Sequence, residues 1–143
     1  MSRFTNYGEE RMLNTVCGSQ SWIVRLFKSP TTDPDSDSFT MTECDYTGYG
    51  AQGFSFASAT DTGSAGSWYA VSTSNLTWTH GGSVASPGDA NTVYGWALWS
   101  GTGGSTDAPF YYEFFDSPVS MGVGVQFSFV PRLSLIGIEE ACP

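Results

Sequence analysis

From Trp22 onward the apolar residues of this chain recur at every second position, a period that fits β-strands and little else. Trp22-Ile-Val-Arg-Leu-Phe27 has the β-branched and aromatic composition of a strand. Gly53-Phe-Ser-Phe-Ala-Ser-Ala59 alternates, as do Trp68–Val71 and Asn75–Thr79. In Thr92–Trp99 the period places Tyr94, Trp96 and Leu98 on one face and Val93, Ala97 and Trp99 on the other. Phe110-Tyr-Tyr-Glu-Phe-Phe115 follows. Val123, Val125, Phe127 and Phe129, then Leu133 and Leu135, alternate on either side of Val130-Pro131, where the proline marks a bulge or a sheet edge. The one helix lies before all of these. Asn6 and Glu9 have capping-box spacing, Gly18 is a stop, and Met12, Leu13, Val16 and Cys17 form an apolar stripe between them.

Short strands joined by Gly, Pro, Asp and Ser turns predict an all-β fold, an antiparallel β-sandwich or barrel with one short N-terminal helix. Neither a linker nor an internal repeat divides the chain. The expectation is a single domain over 1–143, with 1–18 as N-terminal arm and helix.

Charge narrows the partners. Five Lys+Arg against 14 Asp+Glu give a net charge of −9 over 143 residues. The five cations are too few and too scattered to neutralise a phosphate backbone, so no nucleic acid is expected as partner. Aromatic residues at 15% and charged residues at 13% exclude a disordered chain. No run reaches the ~18 apolar residues of a membrane span, so no membrane is expected either. The N-terminal stretch lacks a signal-peptide core, which predicts a chain made and kept in a cytoplasm, or released by a route other than secretion. Cys17, Cys44 and Cys142 are odd in number and widely spaced, the pattern of free thiols. Cys17, on the apolar stripe, is expected to be buried and reduced.

Each motif with chemical content has a plainer reading. Gly48-Tyr-Gly-Ala-Gln-Gly53 spells the dinucleotide pattern, but a helix must follow it, and Phe54-Ser-Phe-Ala reads as strand. Asp33-Pro-Asp-Ser-Asp37 opens like a calcium loop, yet Ser38 and Cys44 stand where Gly and a bidentate Glu belong. His80-Gly-Gly82 resembles an oxyanion-hole segment without the G-x-S-x-G elbow, and with Asp89 or Asp107 as orienter it makes a poor triad. His80 reads as a loop residue. Glu113 and Asp116 are three apart, which on a strand points them to opposite faces, with Asp116 forming a turn before Ser117-Pro118. Trp68, Trp78, Trp96 and Trp99 could stack on sugars but read mainly as core. No catalytic residue, metal site or cofactor is expected, and the chain reads as non-enzymatic.

Several segments recur together in one known family. They are the helix with Gly8-Glu9 and Leu13-Asn14, the strand ending Arg25-Leu-Phe-Lys28, and a Thr/Asp/Pro loop. Then come Glu43-Cys-Asp-Tyr-Thr-Gly-Tyr49 in the pattern E-x-x-[YF]-x-G-Y, Val93-Tyr-Gly-Trp96, and Pro118-Val-Ser-Met-Gly before a long alternating strand. In this order the chain resembles the capsid decoration, or cement, proteins of tailed phages. The resemblance implies a jelly-roll-like sandwich made in the host bacterial cytoplasm. It implies a place on the outer capsid surface of the virion, as a homodimer or homotrimer stabilising contacts between major capsid protein subunits. High Trp and Tyr content and the glycine-rich Gly101–Ser105 loop depart from the family. They support the alternative of a carbohydrate-binding sandwich module of a phage head fibre or tail, and a small hydrolase is a distant third reading. For the capsid contact the candidates are Arg3, Phe4 and Tyr7, an aromatic–basic tip of the kind interfaces favour. The competing role for Phe4 and Tyr7 is to cover one end of the protein's own sandwich.

Overall fold

The computed structural model describes residues 6–18, 20–29, 41–61, 67–82, 91–101 and 109–136. Among them are one helix, α1 (Asn6–Cys17), and nine strands in chain order: β1 (Trp22–Phe27), β2 (Gln52–Phe54), β3 (Thr60–Asp61), β4 (Ser67–Val71), β5 (Leu76–Thr79), β6 (Asn91–Ser100), β7 (Tyr111–Met121), β8 (Gln126–Phe129) and β9 (Arg132–Ile136). All strand pairings are antiparallel. The fold is an all-β sandwich with one short N-terminal helix, as the period-two runs predict. The chain gathers into two compact units: Met1–Gln20 with Ser55–Asn75 and Val130–Pro143, and Ser21–Phe54 with Leu76–Phe129.

The first unit holds α1 and the sheet β3-β4-β9, with α1 packed on β4. Leu13 and Cys17 are buried, Val16 is half-buried and Met12 is exposed, so the apolar stripe is narrower than its sequence spacing. Asn14 lies one turn before the end of α1, and its Oδ1 accepts a hydrogen bond from the Ala59 amide at 2.8 Å. Phe56 is buried beside an isolated bridge to Ser72.

The second unit carries the four-stranded sheet β2-β1-β6-β7 and the ladder β5-β8. Cross-strand partners share a face, which places Trp22, Val24, Leu26, Trp96 and Leu98 together. This face meets β8: Trp96 lies 5.3 Å from Phe129 and Phe115 lies 5.2 Å from Phe127, ring centre to ring centre. Trp78 of β5 stacks on Phe129 at 5.7 Å within its own ladder. On the opposite face Phe27, Ala97 and Trp99 form a buried cluster, with Met41, Tyr94 and Tyr112 packed against it. Both faces of β6 are therefore covered, and the strand is apolar almost throughout.

Four local expectations change. Tyr94 packs with Phe27, Ala97 and Trp99 rather than sharing a face with Trp96, because the β6–β7 register shifts between Val93 and Gly95. Asp116 forms no turn: β7 continues through Ser117-Pro118, with Phe114 paired to Gly95 and Val119 to Val93, so the extra residues bulge between them. Pro118 is tolerated there because β7 is an edge strand. The alternation at Val123 and Val125 is not strand. Both are exposed in the turn before β8, where Val125 N–H donates to Gly122 O at 3.0 Å and Gly124 takes φ 75°. The run from Gly53 to Ala59 stops being strand at Phe54, where the chain leaves one unit for the other.

Gly95 is the tightest point of the large sheet. It pairs with Phe27 on one side and Phe114 on the other, and those two rings meet edge to face at 5.3 Å across it. A Cβ there would run into the Glu113 carbonyl and sit 2.6 Å from Phe27 Cζ, whereas one on Gly122 would meet nothing within 4 Å. Gly95→Ala is expected to lower stability by about 1–3 kcal/mol in urea unfolding, the usual cost of overpacking. Gly122→Ala should change it by less than ~0.5 kcal/mol.

Candidate interaction surface

After β1 the chain returns alongside it. Lys28 N–H donates to Thr42 O at 2.8 Å, Cys44 N–H donates to Leu26 O at 3.0 Å, and Glu43 bridges Phe27. The pairing puts the Glu43 carboxylate beside Arg25, two residues before Phe27 and on the same face of β1. Arg25 Nη1 donates to both carboxylate oxygens, at 2.9 and 3.2 Å, while its guanidinium lies 5.6 Å from the Trp99 ring centre. The Tyr49 hydroxyl donates to Glu43 Oε1 at 2.8 Å and accepts from the Leu26 amide at 3.0 Å. Burial first, then the Glu43 charge, holds that hydroxyl far above the ordinary phenol range.

The rest of this loop is fastened in the same way. Gly48 has φ 90°, and a Cβ on it would lie 2.9 Å from Thr79 O. That close approach lets Gly81 N–H reach Thr47 O at 2.9 Å. Trp78 Nε1 donates to Gly50 O at 2.9 Å, and the Gln52 amide bonds both backbone groups of Thr77. Asp45 N–H donates to Asn91 Oδ1 at 2.9 Å, and Lys28 Nζ lies 2.6 Å from the Asp45 carboxylate, holding it below the usual carboxylate range.

His80 stands in a loop just beyond β5, as expected, and the loop is tucked in. Its ring is buried, stacked on Tyr46 at 5.4 Å, and its Nδ1 accepts from Gly82 N–H at 3.3 Å. Asp89 and Asp107, the two orienters a triad would draw on, lie outside the described residues. The Gly48–Gly53 glycines lead into strand β2, as their context predicts. Glu113 and Asp116 are both exposed, and Glu113 Oε2 accepts from the Tyr111 hydroxyl at 3.4 Å. Among the described residues there is no group of three His, Cys, Asp or Glu side chains placed to hold a metal ion, and no helix long and apolar enough to cross a membrane.

What the second unit does present is an aromatic edge. Trp22, Trp78, Trp96 and Trp99 are all buried, yet Phe110, Tyr111 and Phe114 keep 56%, 36% and 40% of their surface exposed. Tyr111 and Phe114 are in β7 and Phe110 immediately precedes it; no strand pairs the outer edge of β7 among the described residues. Their signal in the sequence is Phe110–Phe115, where aromatics at both parities do not suit a strand with only one face buried.

Of the contact residues expected from the sequence, Arg3 and Phe4 lie outside the described residues, and Tyr7 is in the first turn of α1 with its side chain outside them. The Asp33–Asp37 loop, Cys142 and the Trp68 side chain also lie outside. Set against protein-family models, curated proteins and solved structures, the chain matches none of them.

Tyr49→Phe removes the acceptor for a buried amide as well as the donor to Glu43. It is expected to cost about 1–3 kcal/mol in urea unfolding. Cys17 and Cys44 are buried free thiols, as the stripe predicts for Cys17. Burial is the main cause that pushes them from the ordinary 9.0 up to about 11 and about 12. An unfolded thiol ionises first, so the folded state holds more protons above pH 9.0. The thiol contribution to stability is therefore complete below that pH and is lost as pH rises towards about 11 and about 12. Replacing both cysteines by alanine should flatten the alkaline fall of the urea midpoint.

Proposed function

We propose that this chain is a structural virion protein, a decoration or cement protein that binds the outer surface of a tailed-phage capsid. Its partners are the major capsid protein, whose subunit contacts it stabilises, and further copies of itself. The observation that carries this reading is the contrast between a unit whose described tryptophans are all buried and an edge strand that, with the residue before it, leaves three large aromatics in solvent. Exposed aromatics grouped on one element are the anchors protein interfaces use. The antiparallel sandwich and the ordered sequence resemblance support the same reading. Copies repeated over a symmetric shell need no strong single contact, because avidity multiplies weak ones. A net charge of −9 favours a partner with a basic rim.

The carbohydrate-binding alternative loses three of its four candidate platforms, since Trp78, Trp96 and Trp99 are buried. It retains Trp68 and the β7 aromatics.

Binding to purified undecorated capsids tests the proposal. The full chain should cosediment with shells at many copies each and raise their melting temperature. Because α1 begins at Asn6, removing residues 1–5 takes away Arg3 and Phe4 without cutting the helix, and Tyr7→Ala tests the remaining candidate. Both variants should fold, by circular dichroism, and bind shells more weakly. Binding equal to the full chain would remove the N-terminal tip from the interface. No binding by the full chain would overturn the decoration reading.

A further inference from the structure

We propose that Phe110, Tyr111 and Glu113 form a docking site for an arginine side chain on the surface of a partner protein. The proposal rests on the decoration reading for the identity of that partner, the capsid shell.

The molecule already holds one arginine in this way. Inside the second unit Arg25 lies over the Trp99 ring while its Nη1 donates to both oxygens of Glu43, and the Tyr49 hydroxyl donates to the same carboxylate. Ring, carboxylate and tyrosine hydroxyl together make the clamp. At the start of β7 the same three parts recur in solvent. Tyr111 and Glu113 are two apart and share a face, and the Tyr111 hydroxyl donates to Glu113 Oε2 at 3.4 Å. Tyr111 pairs with Leu98 and Glu113 with Trp96, which places both on the face that carries Trp22. The Phe110 ring joins them there, 5.0 Å from the Trp22 ring. Phe110 and Tyr111 are exposed, but buried Trp22 and Trp96 back them, so little side-chain freedom is left to lose on binding. What this outer set lacks is the guanidinium.

Charge decides which group fits. Nine of the 14 Asp+Glu fall in the second unit against two of the five cations, Arg25 and Lys28, a net charge of −7. Both cations are engaged within the unit, by Glu43 and Asp45. From Ser29 to Pro131 the chain has neither Lys nor Arg, so a cation for Glu113 has to come from outside the unit. Arginine suits the set better than lysine, because its planar guanidinium stacks on an aromatic face and forks onto a carboxylate at once. An apolar partner would bury Glu113 unpaired, which is costly. A neutral sugar would gain nothing from the surplus of acid.

NMR titration of the isotope-labelled full chain with the peptide acetyl-Gly-Arg-Gly-amide, beside its lysine and citrulline counterparts and maltose, tests the site. The arginine peptide should move the amides over 110–113 and the Tyr111 ring signals. The lysine peptide should bind about 3-fold or more weakly, and the neutral citrulline peptide and maltose not at all. Glu113→Gln should weaken arginine binding about 3- to 10-fold. Asp116→Asn removes the same charge three residues on and should change it by less than about 2-fold. If Glu113→Gln fails to fold, the position of the shifts in the unaltered chain and the comparison of ligands decide the matter. Shifts absent from 110–113, equal binding of the lysine or citrulline peptide, or equal loss from Asp116→Asn would overturn the site. Shells that hold Glu113→Gln as tightly as the full chain also overturn it and leave decoration standing. Arginine capture at 110–113 by a chain that never binds shells does the reverse.

Discussion

The Glu43 carboxylate is the fastening on which the second unit depends. It is held by two bonds from Arg25 and one from Tyr49, and Tyr49 in turn satisfies the Leu26 amide. The loop's backbone pairs with β1 through Lys28 N–H to Thr42 O and Cys44 N–H to Leu26 O, and the carboxylate adds the side-chain closure to that pairing. With it, the loop closes over β1, delivers Tyr46 to His80 and Gly50 to Trp78, and leads directly into β2. Arg25 and Glu43 keep 18% and 25% of their side-chain surface in contact with solvent, so the pair avoids most of the desolvation that makes a fully buried ion pair costly. Tyr46 is less well provided for: its buried hydroxyl has no hydrogen-bond partner among the described residues.

This arrangement changes what the E-x-x-[YF]-x-G-Y segment is for. Glu43, Tyr46, Gly48 and Tyr49 all act inside the unit, as carboxylate clamp, buried ring, left-handed turn and hydroxyl bridge. Tyr46 is buried and Glu43 and Tyr49 are half-buried, each held by contacts within the unit. The resemblance built on them therefore rests on residues that close the loop. The β7 aromatics are the ones the sandwich leaves in solvent.

Much of the fold was legible because burial imposes a period. α1, β1 and β6 lie where their apolar spacing puts them, and Cys17 is buried as its place on the stripe requires. Period fails where the backbone changes step. The irregularity between Val93 and Gly95 turns Tyr94 to the other face, and Val123 and Val125 alternate in a turn that has no strand partner. The interleaving of two units is equally hidden, since the chain passes between them at Gln20, Phe54, Asn75 and Phe129 without a linker at any of these points. His80 stands in a loop as its two following glycines suggest, but its stacking on Tyr46, 34 positions earlier, is something no local pattern reveals. The β7 edge could have been suspected from unbroken aromatics, but whether a strand is central or terminal depends on pairing and is not written in its own residues.

If the carboxylate fastening organises the loop, Glu43 and Tyr49 act as one unit. A double-mutant cycle of Glu43→Ala and Tyr49→Phe, read by urea unfolding, measures this directly. The account predicts strong non-additivity, with a coupling energy of about 1–2 kcal/mol, since either change alone releases the same contact. Single effects that add to within ~0.5 kcal/mol would contradict it, because groups sharing one hydrogen bond and one closure cannot act independently.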